Sequence, residues 1–336
     1  MTYNPFLRVA QELGRKQEYF QGTGGNISLK HNSHDMVIKS SGIRVQDMVY
    51  DEGLIGVSFP NIRNCFAMGH MVSEEESNIT IRDSVLVRDA RRPSIETGFH
   101  AILHNAVIHS HSVYVNILAC SSSFFELVEK LFSHTDIVYS VVEYAAPGHY
   151  LTQKVKQSIS DIKSSKHIVF LKNHGVIASA LSLFDAVTIH EKVNDIIRDY
   201  FGITDTYPIS QLCHRQTGES VSVTPFLLDF LKNNSYYFVH IKEYMLFPDL
   251  IVFCKDLVVT DDESCDAKIV VSISRNEIRY NTSKKEAHII EENLVAWAYI
   301  LTMIEKHNLS PVFISQEQAG IIENLESEKY RKELVK

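Results

Sequence analysis

With 336 residues, 45% of them hydrophobic and 22% charged, the chain is too long for a small cross-linked scaffold and too apolar for wholesale disorder. Thirty-three Lys and Arg against forty-one Asp and Glu give a net charge of −8, which argues against a nucleic-acid or membrane partner and leaves a small anionic substrate in a local pocket. Five scattered cysteines (Cys65, Cys120, Cys213, Cys254 and Cys265) form no C-x-x-C pair, so neither a disulfide framework nor a thiolate zinc site is indicated and a cytoplasmic protein is expected.

The N-terminus has no signal-peptide core and spaces Phe6, Val9, Leu13 and Tyr19 as one face of a helix running to Tyr19. After the glycine-rich QGTGGNISLK, strands are expected at MVIKSSG and LIGVSF, a helix over Ser94 to Asn105 with Phe99, Ile102 and Leu103 at helical spacing, and a strand through AVIHSHSVYV. A buried strand at HIVFL and the amphipathic helix SLFDAVTIHEKVNDIIRDYF complete an alternating pattern that predicts an α/β sheet covered by helices. Thr97 to Phe125 carries no Asp, Glu, Lys or Arg, yet its four histidines, two asparagines and five serines are too polar for a span of lipid.

The polar, turn-rich DTYPISQLCHRQTGESVSVTP predicts a boundary, with one domain over residues 1–215 and a second over residues 221–336. In the second, strands are expected at YYFVHI, LIVFC, KIVVSIS and EIRYN, then a helix at EENLVAWAYILTMIEKHN and a charged helical tail, together a small α+β module. Trp297, at helical spacing with Val295, Ile300 and Leu301, reads as core. The role of this module is not legible.

Chemistry concentrates in the first domain. His109 and His111, two apart on a strand, share a face and can converge on one ion. Asn173-His174-Gly175 after a buried strand adds a third imidazole, and Pro93-Ser94-Ile95-Glu96 at a helix start adds a carboxylate. Three nitrogens with an open or carboxylate-filled fourth position is the arrangement of catalytic zinc. Taken singly, His174 reads as well as a loop residue bonded to backbone, and Glu96 as a glutamate answering a helix dipole. His31, His34, His134, His149 and His190 have no matching partners and read as surface or packing residues.

The ordered motifs GTGGNIS, KSSGI, PSIETGFHAILH, AVIHSHSVY and LKNHGVIAS resemble the class II aldolase/adducin family, nearest to its fuculose-phosphate-type aldolases, over roughly residues 5–205. The resemblance implies a class II aldolase-like fold with a central, mainly antiparallel sheet. It implies zinc ligands at His109, His111 and His174, with Mn2+, Fe2+ or Co2+ as substitutes, and an acid/base at Glu96 that also ligates the metal before substrate arrives. It further implies a phosphate cradle built from the Thr23-Gly24-Gly25-Asn26 turn, Ser41-Gly42 and Ser94, through small residues that expose backbone N–H groups and a nearby helix start. Where such aldolases place a second serine before the glutamate, this chain has Ile95. A glycine-rich turn without a lysine is also simply a strand-entry turn. Tyr139 lies where a neighbouring subunit sometimes supplies an acid, and Tyr330 in the tail is a weaker counterpart.

The implied activity is a metal-dependent lyase that cleaves or forms a carbon–carbon bond of a sugar or sugar phosphate through a zinc-stabilised enediolate, in a homo-oligomer with a tetramer favoured. A dehydratase, decarboxylase or 4-epimerase using the same site is the nearer alternative, although epimerases of the family carry aspartate at the position of Glu96. A non-catalytic, adducin-like interaction protein is the farther one. Adducin-type members generally lack the metal histidines that this chain keeps.

Overall fold

The computed structural model describes residues 4–67, 73–87, 91–159 and 164–335. The chain divides into one unit of Met1–Ala119 with Ser123–Ile203, and another of Cys120–Ser122 with Thr204–Lys336.

The first unit opens with α1 (Asn4–Gly14), which ends before the predicted limit at Tyr19. A side chain on Gly14 would meet the Gln46 backbone nitrogen at 2.3 Å, so the backbone of residues 45–46 crosses the helix end and Tyr19 reaches the core from the turns that follow. Next come β1 (Asn26–Lys30), β2 (Asp35–Lys39), β3 (Leu54–Ser58), α2 (Phe59–Ala67), α3 (Glu74–Asp83), α4 (Thr97–Ile102), β4 (Ala106–Ser110), α5 (Val113–Ala119), α6 (Phe124–Phe132), β5 (Tyr139–Val142), α7 (His149–Ser158), β6 (Lys166–Leu171), β7 (Gly175–Ala180) and α8 (Leu183–Tyr200). The seven strands form one sheet in the order β3-β2-β1-β4-β7-β6-β5. All its pairs are antiparallel except β5 with β6, which agrees with the mainly antiparallel architecture expected.

One face of the sheet buries Val107, Val169 and Ile177 against Phe99 and Leu103 of the α4 segment and Leu151 and Val155 of α7. The long α8 inserts Ala186, Ile189, Val193 and Ile197 into the core, and its His190 reaches Ser110 of β4. Burying one such aliphatic side chain contributes about 1.5–3 kcal/mol, so the helices hold the central strands, and the residues at their ends, in fixed places.

The second unit contains β8 (Leu212–His214), β9 (Ser220–Ser222), α9 (Pro225–Asn233), α10 (Ser235–Val239), α11 (Pro248–Phe253), β10 (Val258–Val259), β11 (Ile269–Ser272), β12 (Glu277–Tyr280), α12 (Lys284–Lys306), α13 (Gln316–Asn324) and α14 (Glu326–Glu333). Its sheet runs β10-β11-β12-β9-β8, an α+β unit around a long buried helix. Residues 120–122 join it through the Val312 N–H bond to Cys120 O at 2.7 Å and the Ser122 N–H bond to Ser310 O at 2.9 Å. The chain passes into this unit at Thr204, ahead of the expected boundary at 215–221. The polar stretch there is a hairpin turn: β8 pairs with β9 and the Arg215 N–H bonds Glu219 O at 2.9 Å.

Two predicted strands are helices. YYFVHI falls in and just after α10, where Phe238 and Ile241, three apart, are buried. LIVFC lies in and just beyond α11, which Pro248 opens in its first turn. Short apolar runs look alike in buried strands and buried helices, and only the surrounding core decides between them. Phe230 and Phe238 pack edgewise on Trp297 at 5.7 and 5.2 Å, so Trp297 is core as expected.

Glu291 on α12 is fully buried. It accepts from the Ser222 hydroxyl at 2.6 Å and from the hydroxyls of Thr224 and Tyr280, yet burial outweighs these donors and holds its carboxyl above the usual range. In the unfolded chain the same group titrates near roughly 4.3. The folded state thus binds the proton more tightly, and the stability this contributes is complete at lower pH and is lost as pH rises through the raised folded value. Urea unfolding followed by the fluorescence of Trp297, the chain's single tryptophan, is expected to show a midpoint that falls over that range. In Glu291→Gln the slope flattens; a variant profile that still tracks the unsubstituted protein contradicts this assignment.

Candidate metal centre and catalytic site

His109 is the fourth residue of β4, and the strand ends at Ser110. The predicted strand through Val115 is cut short because Ser112 starts a helix instead: its carbonyl accepts from the Asn116 N–H at 2.9 Å and its Oγ from the Val115 N–H at 3.4 Å. His111 therefore lies just past the strand and does not share it with His109. Ser110 Oγ lies 2.7 Å from His190 Nε2, and the Ser112 hydroxyl donates to Asn194 Oδ1, which ties the serines between the histidines to α8. Burial pushes His190 down to about 4, so it is neutral at physiological pH and packs as expected.

His174 comes from the three-residue turn between β6 and β7. Asn173 takes left-handed backbone (φ 51) and Gly175 has φ 146. A methyl group on Gly175 would stand 2.2 Å from Ser110 O and 3.0 Å from His111 Cα, so only glycine lets this hairpin lie directly on the H-S-H segment. The Asn173 N–H bonds Ala119 O at 3.0 Å, and the Asn116 amide donates to the carbonyls of His111 at 3.4 Å and His174 at 3.3 Å.

The three rings make a nearly equilateral triangle with centroids 5.0, 4.9 and 5.0 Å apart. One nitrogen from each lies within 4.8 Å of the others, and all three residues are buried. His109 Nδ1 faces Val176 O at 3.1 Å. A carbonyl only accepts, so Nδ1 carries the proton and Nε2 the lone pair, the tautomer a metal ligand needs.

Glu96 occupies the N-cap position of α4, but its side chain makes no capping bond. Instead Oε2 lies 3.4 Å from His109 Nε2 and Oε1 lies 3.5 Å from His174 Nε2. Oε2 also accepts from Asn26 Nδ2 at 2.7 Å, whereas Oε1 accepts no hydrogen bond among the described residues. Only 4% of Glu96 is exposed, and among the described residues no Lys or Arg pairs with it. An isolated buried carboxylate is costly. A divalent ion held by the three nitrogens supplies the missing positive charge, so the residues present fit such a group.

Three further segments meet beside Glu96. The Lys39 ammonium, 2% exposed, donates to the carbonyls of Thr23 at 3.0 Å and Ile43 at 2.8 Å. Ser40 bridges to Pro93, the Ser41 N–H bonds Arg92 O at 2.9 Å, and Asn26 Nδ2 reaches Ser94 Oγ at 3.1 Å. The residues expected to cradle phosphate (Gly25, Asn26, Ser41, Gly42 and Ser94) thus lie on segments that meet. The Asn26 amide is committed to Glu96 and Ser94, and the Ser41 N–H is used within the protein, so neither of these groups faces outward for an anion. Lys39 and Ser40 stand inside the same motifs yet drew no role from sequence. The Thr23 and Ser40 hydroxyls are buried without hydrogen-bond partners among the described residues. Ile95 lies where a Cβ on Gly148 would touch it at 2.6 Å, and so packs on the start of α7.

Tyr139 packs against Phe132 and Phe170 at 6.2 and 6.1 Å rather than against the imidazoles. It is half-buried on β5, at one edge of the sheet. Tyr330 is on α14 of the second unit. Because any side chain at Gly175 collides with backbone rather than with a mobile side-chain end, Gly175→Ala is expected to cost about 1–3 kcal/mol in urea titrations. It is also expected to weaken zinc uptake by the folded protein, and undiminished uptake contradicts the dependence of His174 on this approach.

The chain is 23% identical over 187 residues to a 5-deoxy-D-ribulose 1-phosphate aldolase of Bacillus thuringiensis serovar kurstaki, covering 54% of this chain and 76% of that protein. It is 21% identical over 192 residues to an L-fuculose phosphate aldolase of Methanocaldococcus jannaschii, 55% of this chain and 88% of that one. A 3-oxo-tetronate 4-phosphate decarboxylase of Haemophilus influenzae is 21% identical over 204 residues, 56% and 84%. Among solved structures, the N-terminal class II aldolase domain of a Thermoplasma acidophilum protein superposes with a TM-score of 0.50 at 19% identity, covering 58% of this chain and 91% of that one. The family model of the class II aldolase and adducin N-terminal domain matches residues 6–201, more than half of the sequence. The chain belongs to the class II aldolase/adducin family.

Proposed function

We propose that the chain is a metal-dependent lyase that cleaves or forms a carbon–carbon bond of a sugar phosphate, with His109, His111 and His174 holding the ion and Glu96 moving the proton. The observation that carries this reading is one buried carboxylate, without a Lys or Arg partner among the described residues, set 3.4 and 3.5 Å from two of three converging imidazoles. When bound, the ion supplies Lewis-acid stabilisation of the negative charge that grows on oxygen as the bond opens, with zinc the first candidate for a nitrogen-rich site and Mn2+, Fe2+ or Co2+ its substitutes. Glu96 Oε1, which no donor among the described residues occupies, is the oxygen available to take and return the proton, while Oε2 stays tied to Asn26.

The anionic end of the substrate is assigned to the junction of residues 23–26, 40–43 and 93–94. Two unsatisfied buried hydroxyls, Thr23 and Ser40, and the ammonium of Lys39 behind the loops support this assignment. The similarity to two sugar-phosphate aldolases supports it as well. Similarity to a decarboxylase supports a second reading in which loss of carbon dioxide leaves the same oxygen charge to be stabilised.

His109→Ala, His111→Ala and His174→Ala are each expected to abolish most metal binding, measured by elemental analysis. Glu96→Gln is expected to keep the metal and lose about 10²–10⁴-fold in turnover; metal loss equal to that of the histidine variants makes Glu96 chiefly structural. Incubated with a panel of ketose phosphates, the loaded protein is expected to release an aldehyde, and carbon dioxide or water release instead selects the other chemistry. Lys39→Met is expected to raise KM for phosphorylated substrate about 10-fold or more with kcat little changed.

A further inference from the structure

A line of hydrogen bonds runs behind Glu96 through wholly buried side chains. Asn26 Nδ2 is 2.7 Å from Glu96 Oε2, Asn26 Oδ1 meets His100 Nε2, and His100 Nδ1 is 2.7 Å from Ser28 Oγ. Two sequence spacings build it. Asn26 and Ser28 are two apart on β1 and share a face of the strand, while Glu96 and His100 are four apart around one turn of the α4 segment. Asn26 sits directly opposite His109 in the sheet, which brings the line to the imidazole cluster.

Each member dictates the next. A carboxylate oxygen only accepts, so Asn26 must turn its NH2 toward Glu96 and its carbonyl toward His100. That carbonyl only accepts, so His100 carries its proton on Nε2. The neutral ring then has its lone pair on Nδ1, and this takes the Ser28 hydroxyl proton. Burial, with smaller contributions from His109, Lys30 and Lys39, holds the His100 imidazole well below its usual range, and Phe99 stacks on the ring at 4.7 Å and fixes its plane. Without His100, the buried Asn26 carbonyl loses its ring donor, and the amide is left held only through its NH2 by Glu96 and Ser94, free to pivot about those bonds.

We propose that His100 is a positioning residue that locks the Asn26 amide and thereby anchors Glu96 through Oε2, reserving Oε1 for the proton. This rests on the reading of Glu96 as acid/base.

The test compares His100→Leu, which removes both ring nitrogens, with His100→Gln, whose amide restores a donor toward Asn26. The metal-loaded full-length chain is used, with an active ketose phosphate from the panel. In His100→Leu, kcat is expected to fall about 10–100-fold with KM and bound metal little changed, and His100→Gln is expected to recover most of the loss. Nitrogen-15 spectra of histidine-labelled protein supply a readout independent of turnover: His100 is expected as the neutral Nε2–H tautomer, with its Nε2 signal moving in Asn26→Leu. Wild-type kcat in His100→Leu, equal impairment of both variants with parallel metal loss, or an Nδ1–H tautomer each overturns the proposal. If His100→Leu does not fold, Ser28→Ala takes its place, and an unmoved His100 signal with unchanged kcat is then the contrary result. Slow Glu96→Gln beside a fast His100→Leu defeats the relay alone, whereas fast Glu96→Gln defeats the acid/base reading on which it rests.

Discussion

The site depends on two stretches of backbone lying closer than any side chain permits. Where the β6–β7 turn meets the end of β4, Gly175 sits so near Ser110 O that a Cβ would stand 2.2 Å away. This contact brings His174 to the H-S-H segment from more than sixty positions along the chain, and Asn116 then ties the carbonyls of His111 and His174 to one amide. Side-chain convergence follows from backbone convergence. Rings carried on backbones this constrained lose little freedom when they gather round an ion, which is the physical content of a preorganised site.

Around that contact, neighbouring residues serve opposite purposes. His109 turns toward Glu96 and Phe99, whereas Ser110 and Ser112 bond to His190 and Asn194 of α8. The buried polar groups of the central strand are thus divided between the imidazole cluster and the attachment of α8. Glu96 shows the same division within one carboxylate: one oxygen is anchored by Asn26 and the other has no donor among the described residues. Such asymmetry is what a group that must hold position and also exchange a proton requires.

The second unit carries a different kind of buried acid. Glu291 is surrounded by three hydroxyl donors and, among the described residues, pairs with no cation, so its ionised form is disfavoured, whereas Glu286 on the same helix is paired with Lys268 at 2.6 Å. Burial is common to Glu96, Glu286 and Glu291. What distinguishes them is the partner: imidazoles, an ammonium, or hydroxyls.

Much of this was legible in the residues alone. Periodicity located most strands and helices of the first unit, and five motifs in family order pointed to the sheet architecture and to His109, His111, His174 and Glu96, because those signals lie in short stretches whose local spacing carries meaning. Other features were decided only by tertiary structure. The strand at His109 stops at Ser110 because Ser112 finds helix amides to accept from, α1 stops at Gly14 because another backbone crosses it, and LIVFC and YYFVHI are helical because the core around Trp297 demands it. Tyr139 packs beside Phe132 and Phe170, and Asn26 bonds Glu96, since a side chain's contacts depend on which distant groups reach it. Composition and spacing determine what a segment is able to do. Packing determines which of those abilities is used, because burial and hydrogen-bond satisfaction are properties of the folded whole.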